Sequence, residues 1–183
     1  NLPVNITQLD LSYNSITILY NGDFKHLNRL QILYLGENPL TAIQSSAFEG
    51  LLSLQSLYLN FSFSGLSNLN YSIRGLENLE TLDLSVNKLN LLNSDFFQDF
   101  PNLKTLRLSR CLLDNNFMFQ HGKRLFTPLT RLNFLDLSQN DLVLLSDDIF
   151  EPLPNIVEII LTYNKLIRIP DVSSLNHLQN LYF

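Results

Sequence analysis

The same apolar frame returns seven times along this chain, and its spacing fits neither a helix nor an uninterrupted strand. Counting from Leu79, apolar residues stand at positions 1, 4, 6, 11, 14, 19 and 22 (Leu79, Leu82, Leu84, Leu89, Leu92, Phe97, Phe100), with Asn87 at position 9. Further frames begin at Ile6, Leu30, Leu54, Leu103, Leu132 and Ile156, and Leu178 opens an eighth. Four of the seven intervals between starts are 24 residues; Leu54 to Leu79 spans 25, Leu103 to Leu132 spans 29 and Ile156 to Leu178 spans 22. Self-similarity at this period means stacked coils, each burying its leucines against the next because none can bury them alone. The expectation is an α/β solenoid over residues 1–183: one short strand per coil in a parallel sheet on the concave side, and mostly irregular arms on the convex side.

Each position has a physical reason. In a strand reading x-L-x-L, alternate side chains face opposite ways, so positions 4 and 6 enter the core while 3, 5 and 7 look out from the sheet. At the turn after the strand, Asn14, Asn38, Asn87, Asn140 and Asn164 are expected to form a ladder, their amides satisfying backbone groups of adjoining coils. Ser62 and Cys111 occupy that place in the third and fifth coils. Phe24, Phe48, Phe97, Phe126 and Phe150 are expected to stack as an aromatic spine near the convex side.

Composition sets limits on function. The net charge of −5 argues against a general nucleic-acid binder held by backbone phosphates. No run of about 18 apolar residues is present for a membrane span. The single cysteine excludes an internal disulfide and leaves the redox compartment open. Neither a basic leader nor a signal-like stretch stands at Asn1, so the chain reads as mature or excised sequence.

The 24-residue period with phenylalanine at position 19, the opening LPVNITQLDLSYNSI and the glycosylation sequons together resemble the ectodomain of a Toll-like receptor, a leucine-rich repeat protein. In that family a cysteine-rich cap is followed by a phrase like Leu2-Pro3-x-x-Ile6-Thr7 and then the first strand, here Leu9 to Asn14. Matrix proteoglycans, adhesion proteins and variable lymphocyte receptors share much of the frame, and the irregular third and fifth repeats favour this family because matrix and lymphocyte-receptor arrays are more uniform. The resemblance implies a non-catalytic innate immune receptor: a microbial ligand bridges or repositions two ectodomains and dimerisation signals across the membrane. It implies an extracellular or endosomal location, with membrane attachment only through segments this sequence does not contain. A leucine-rich adhesion or matrix protein, or a binding module like a variable lymphocyte receptor, is the other reading. Both cysteine-rich caps are missing and Phe183 falls at a core position in mid-repeat, so a piece of a longer or hybrid molecule is expected. Arrays need polar-faced caps, and these 183 residues alone are expected to aggregate unless joined to capping repeats.

Three sequons bear on compartment: Asn5-Ile6-Thr7, Asn60-Phe61-Ser62 and Asn70-Tyr71-Ser72. None of these asparagines holds the ladder position, so each is a candidate surface acceptor for an N-linked glycan, although such triplets also arise by chance in an Asn- and Ser-rich chain.

Catalytic chemistry has little to stand on. His26, His121 and His177 lie in arms of different repeats, without Cys or acidic neighbours at metal-ligand spacing. Asp147-Asp148 reads as a solvated pair in a return arm. Asn21-Gly22 is a turn signal, and no glycine-rich phosphate loop exists. Cys111 reads as buried and structural. No enzyme activity, metal or cofactor is expected.

Recognition remains, on two surfaces. On the sheet, position 5 carries Tyr34, Tyr58 and Arg107 and position 8 carries Phe61 and Arg110, residue types that anchor interfaces and also serve as ordinary strand formers. The fifth repeat holds five extra residues, and its segment Asp114 to Arg124 is the second candidate, since insertions map to loops on one face. There Phe117, Met118 and Phe119 are expected to tuck onto the body, leaving His121, Lys123 and Arg124 as a dense cationic cluster for an anionic ligand or a second receptor chain. The histidine would strengthen such contacts at endosomal pH.

Overall fold

A computed structural model describes residues 2–61, 69–70 and 72–183. Eight three-residue strands form one parallel sheet: β1 (Gln8–Asp10), β3 (Ile32–Tyr34), β5 (Ser56–Tyr58), β6 (Thr81–Asp83), β7 (Thr105–Arg107), β8 (Phe134–Asp136), β9 (Glu158–Ile160) and β10 (Asn180–Tyr182), neighbours in that order. The register never slips, so Leu9, Leu33, Leu57, Leu82, Leu106, Leu135, Ile159 and Leu181 form one row across the sheet. Two short strands on the return arm, β2 (Ile18–Leu19) and β4 (Ala42–Ile43), pair separately. The molecule is the expected solenoid with its sheet on the concave side and mostly irregular arms outside.

Period-two alternation explains the burial. Leu57, Leu82, Leu106 and Leu135 are fully buried, while the residues on either side of them in the strands are half-exposed. Burying one such leucine is worth about 1.5–3 kcal/mol, and each is buried by the coils on both sides.

The turn after the strand is sharper than the leucine frame suggests. At position 8 Tyr13, Glu37, Phe61, Val86, Arg110, Gln139 and Tyr163 all adopt left-handed backbone, φ between 53° and 60°. None is glycine, and such a conformation costs an L-residue about 1–2 kcal/mol. It persists because it aims each N–H at the next coil: Val86 N–H donates to the Ser109 carbonyl at 2.8 Å and Arg110 N–H to the Ser138 carbonyl at 3.0 Å.

The asparagine ladder secures the same corner. Asn140 Nδ2 donates to the carbonyls of Leu108 (2.9 Å), Leu137 (3.0 Å) and Ser138 (3.1 Å), while its Oδ1 accepts from Cys111 N (2.9 Å) and Leu113 N (3.0 Å). Asn38 and Asn164 repeat the pattern. Asn14 does not: it is exposed and bonds only within its own coil, to Leu11 and Ser12. Ser62, the third-coil substitute, lies outside the described residues. Cys111 covers half of the role, its thiol donating to the Leu84 carbonyl at 3.3 Å. The missing acceptor is supplied by the backbone, Leu89 N–H bonding the Cys111 carbonyl at 3.0 Å, and Leu112 then becomes left-handed as well. Burial pushes the Cys111 thiol up to about 12.

The aromatic spine is broken. Phe24 stacks on Phe48 (6.1 Å between centroids) and Phe126 on Phe150 (6.4 Å), but Ile73 fills the place in the third coil. Phe97 instead packs edge-on against Phe96 (5.1 Å) within a short 3-10 turn, Phe96–Asp99.

Candidate functional site

Position 5 of the strands forms the central row of the concave face. Tyr34 and Tyr58, in register on β3 and β5, stack at 4.6 Å and 14°. Burial and then the neighbouring Tyr34 push the Tyr58 phenol above its usual range. Next come Asp83, Arg107 and Asp136, mutually in register on β6, β7 and β8. A guanidinium between two carboxylates ordinarily pairs with one of them. Arg107 makes no ion pair among the described residues; its guanidinium lies over the Phe134 ring at 4.5 Å.

Both carboxylates bond the backbone of their own strand ends instead. Ser85 N–H donates to Asp83 Oδ1 at 2.9 Å and Ser138 N–H to Asp136 Oδ1 at 2.9 Å, as Ser12 N–H does to Asp10 at 2.8 Å. In each D-L-S triplet the aspartate holds the strand end, an Asx-type turn contact invisible to the leucine count. One oxygen of each carboxylate is thereby committed to the backbone two residues on.

Around this row the surface dips into a groove of about 480 Å³. Asp83, Arg107 and Asp136 line it together with Ser85 and Ser109; Phe61, Val86, Arg110 and Gln139 contribute from the left-handed corner. Asn60 lines it too. Of the residues expected from the sequence to bind, the structure therefore gathers Phe61, Arg107 and Arg110 and sets the Tyr34–Tyr58 stack on adjoining strands. The role of Asp83, Asp136 and the serines was missed, though the repeated D-L-S triplet was the available signal. A wider cleft of about 750 Å³ continues past Arg110 and Gln139 toward Leu112 and Tyr163; its wall holds the Asp141–Lys165 ion pair (2.7 Å) and ladder asparagines, groups already used by the fold.

His121, Lys123 and Arg124 lie elsewhere, on the helical insertion in the fifth coil's return arm. It comprises α1 (Asn115–Phe117), a π-helical turn (Met118–Gly122) and α2 (Lys123–Phe126). Asp114 caps it by accepting from Phe117 N at 2.8 Å. Phe117 and Met118 tuck inward as expected, but Phe119 projects, 87% exposed. The cationic cluster is not the free one the sequence suggests. Lys123 Nζ bonds Asp148 (2.7 Å) and Glu151 (3.0 Å), and the His121 ring packs half-buried 5.2 Å from that of Phe117. Of the three, Arg124 is exposed without an ion pair among the described residues. Asp147 and Asp148 are likewise paired rather than merely solvated, Asp147 with Arg168 at 2.8 Å.

The sequon asparagines differ sharply. Asn5 is exposed. Asn70 is not free: its Nδ2 donates to the Leu91 carbonyl at 3.1 Å and its Oδ1 accepts from Asn93 N at 2.6 Å. Asn60 is half-buried beside Gly36 and lines the groove, so a glycan there would fill the space that Phe61 was expected to offer a ligand. Ser62 and Tyr71, the remaining members of those two sequons, lie outside the described residues.

Residues 4–40 and 71–113 match the family model described as leucine rich repeat. The chain is 35% identical over 154 residues to human Toll-like receptor 3, covering 82% of this chain and 17% of that protein. It is 31% identical over 195 residues to fission yeast (Schizosaccharomyces pombe) adenylate cyclase, at 98% and 11% coverage. Against lumican of Rattus norvegicus it is 31% identical over 182 residues, covering 97% of this chain and 48% of that one. Among solved structures, the TLR13–ssRNA13 complex superposes with a TM-score of 0.83 at 30% identity, over 98% of this chain and 26% of that chain. The chain thus spans less than half of each of these curated relatives.

Proposed function

Taking the chain as a leucine-rich repeat protein that resembles Toll-like receptor ectodomains, we propose that it is the ligand-recognition segment of an innate immune receptor, with the concave groove as its binding surface. The observation that carries this reading is Arg107, which lines the groove without an ion pair among the described residues while each flanking carboxylate bonds its own strand end. A planar fork on a strand, stacked on an aromatic ring and without an ion pair among the described residues, is preorganised for a ligand, because no ion pair has to break before binding. Arg110, Phe61 and the tyrosine stack extend the surface. The reading is non-catalytic: a microbial ligand held here bridges or repositions two ectodomains, and a second receptor chain completes the signalling complex. It places the segment outside the cell or in the endosomal lumen. Among the described residues no helix is long and apolar enough to cross a membrane. Glycan attachment is assigned to Asn5, which is exposed, since the Asn70 side chain is hydrogen-bonded to the next coil and Asn60 is half-buried in the groove.

A matrix or adhesion module is the second reading, favoured by the match to lumican over 97% of this chain. The two surfaces are separated by surface binding of microbial polysaccharide, lipopeptide and single-stranded RNA panels at neutral and mildly acidic pH. Arg107→Ala and Arg110→Ala are expected to lose binding about tenfold or more, as for an interface anchor. Lys123→Ala/Arg124→Ala is expected to retain it. Loss confined to the second variant moves recognition to the insertion, and no microbial ligand with intact matrix-protein binding favours the lumican-like reading.

A further inference from the structure

The groove's charge balance limits what it can hold. Its ionisable lining is two arginines, Arg107 and Arg110, and two aspartates, Asp83 and Asp136, which sum to zero. A site for a polyanion would surround the guanidinium with further cations, since each phosphate held by backbone charge is neutralised by Lys or Arg. Here Arg107 is instead flanked in register by a carboxylate on each side. A site for an apolar ligand would be lined mainly by aliphatic and aromatic side chains; this one has Phe61 and Val86 at its corner, and otherwise offers serine hydroxyls, amides from Asn60 and Gln139, and charged acceptors beside charged donors.

The geometry points to a neutral, hydroxyl-rich ligand, and we infer that the groove is a glycan-binding subsite. This deepens the assignment of the groove as the recognition surface and rests on it. A sugar hydroxyl is at once donor and acceptor, and adjacent hydroxyls on a ring need a carboxylate to receive and a guanidinium to give. The Asp83–Arg107–Asp136 row alternates those functions across three neighbouring strands. Each aspartate has one oxygen on a backbone N–H and a second available, while the fork of Arg107 is steadied by the Phe134 ring beneath it. Ser109 Oγ and Ser138 Oγ already hydrogen-bond each other at 2.9 Å, so the serine row is held together rather than dangling into solvent. Charge-assisted hydrogen bonds to hydroxyls are the stronger kind, and a net-neutral site incurs no penalty for a neutral guest.

Substitutions of opposite expected sign decide between guests. Asp83→Asn and Asp136→Asn keep an oxygen for the Ser85 and Ser138 N–H groups, so the fold should stand, which thermal unfolding and circular dichroism check. With the chain carried between capping repeats, the probes are an array of neutral mannan, glucan and galactan oligosaccharides and a single-stranded RNA oligonucleotide. The wild type is expected to retain a neutral oligosaccharide, each Asp→Asn change to weaken it about tenfold, the scale of one charge-assisted hydrogen bond, and Arg107→Lys to do the same by removing the fork while keeping the charge. RNA binding that strengthens in the Asp→Asn variants and survives Arg107→Lys overturns the glycan assignment while leaving the groove as the recognition surface. Failure of every neutral oligosaccharide to bind, or binding indifferent to all three substitutions, overturns it as well; binding of the RNA that is also indifferent to Arg107→Ala removes the groove reading itself.

Discussion

Replacing Asn140 by alanine tests the ladder where it carries most. The side chain is 7% exposed and serves five backbone groups. Two of them keep another partner when it goes: the Leu137 carbonyl still accepts from Asn164 Nδ2 at 3.0 Å, and the Ser138 carbonyl from Arg110 N at 3.0 Å. Three do not among the described residues, namely the N–H groups of Cys111 and Leu113 and the carbonyl of Leu108. Each stranded buried group costs about 1–3 kcal/mol, so a loss of about 4 kcal/mol is expected, toward the lower end because the vacated amide leaves room for water at a corner near the surface. Asn14→Ala removes the same residue type from the same repeat position, yet Asn14 is exposed and bonds only Leu11 and Ser12, so its loss is expected to be under about 1 kcal/mol. Urea titration of the chain between capping repeats measures both, and hydrogen exchange at the Cys111 and Leu113 amides localises the damage to the fifth and sixth coils. Equal costs for the two substitutions, or unchanged exchange at those amides in Asn140→Ala, would refute the claim that the ladder works by satisfying the neighbouring coil.

Gly50→Ala should destabilise by about 1–3 kcal/mol, because Gly50 sits at φ +91° and an added Cβ would lie 2.5 Å from the Lys25 carbonyl oxygen of the preceding coil; an unchanged unfolding midpoint would contradict this. Cys111, with its thiol raised to about 12 by burial, should resist iodoacetamide at neutral pH in the folded chain and react once the chain is unfolded, as mass spectrometry reads directly. Asp148 is held below the usual carboxyl range by hydrogen bonds from Lys123 first and Ser146 second. A lowered folded-state value stabilises above the unfolded carboxyl pKa and is lost as pH falls through the folded one, so Lys123→Met should flatten the acid limb of the stability profile, and an unaltered limb would show the pair contributes nothing.

The repeating core was legible because its cause is local and reiterated. Leu82, Leu106 and Leu135 each meet the same residue of the next coil, so one period, counted once, places the parallel sheet, its register and the buried face together. Cys111 in the asparagine place could be read as buried for the same reason. Tertiary structure decided what depends on two different coils at once. Whether Lys123 is free was settled by Asp148 and Glu151, 25 and 28 residues away. Whether Asn70 can present its amide was settled by Asn93 and Leu91 in the following coil. Phe119 faces outward because successive residues of a helical turn point about 100° apart and Phe117 and Met118 take the inward side, which a count of apolar residues does not register. Even the groove follows this division. That Asp83, Arg107 and Asp136 are neighbours is written in the period; that Arg107 lies over the Phe134 ring without an ion pair among the described residues, while each aspartate bonds its own strand end, appears only when the chain is folded.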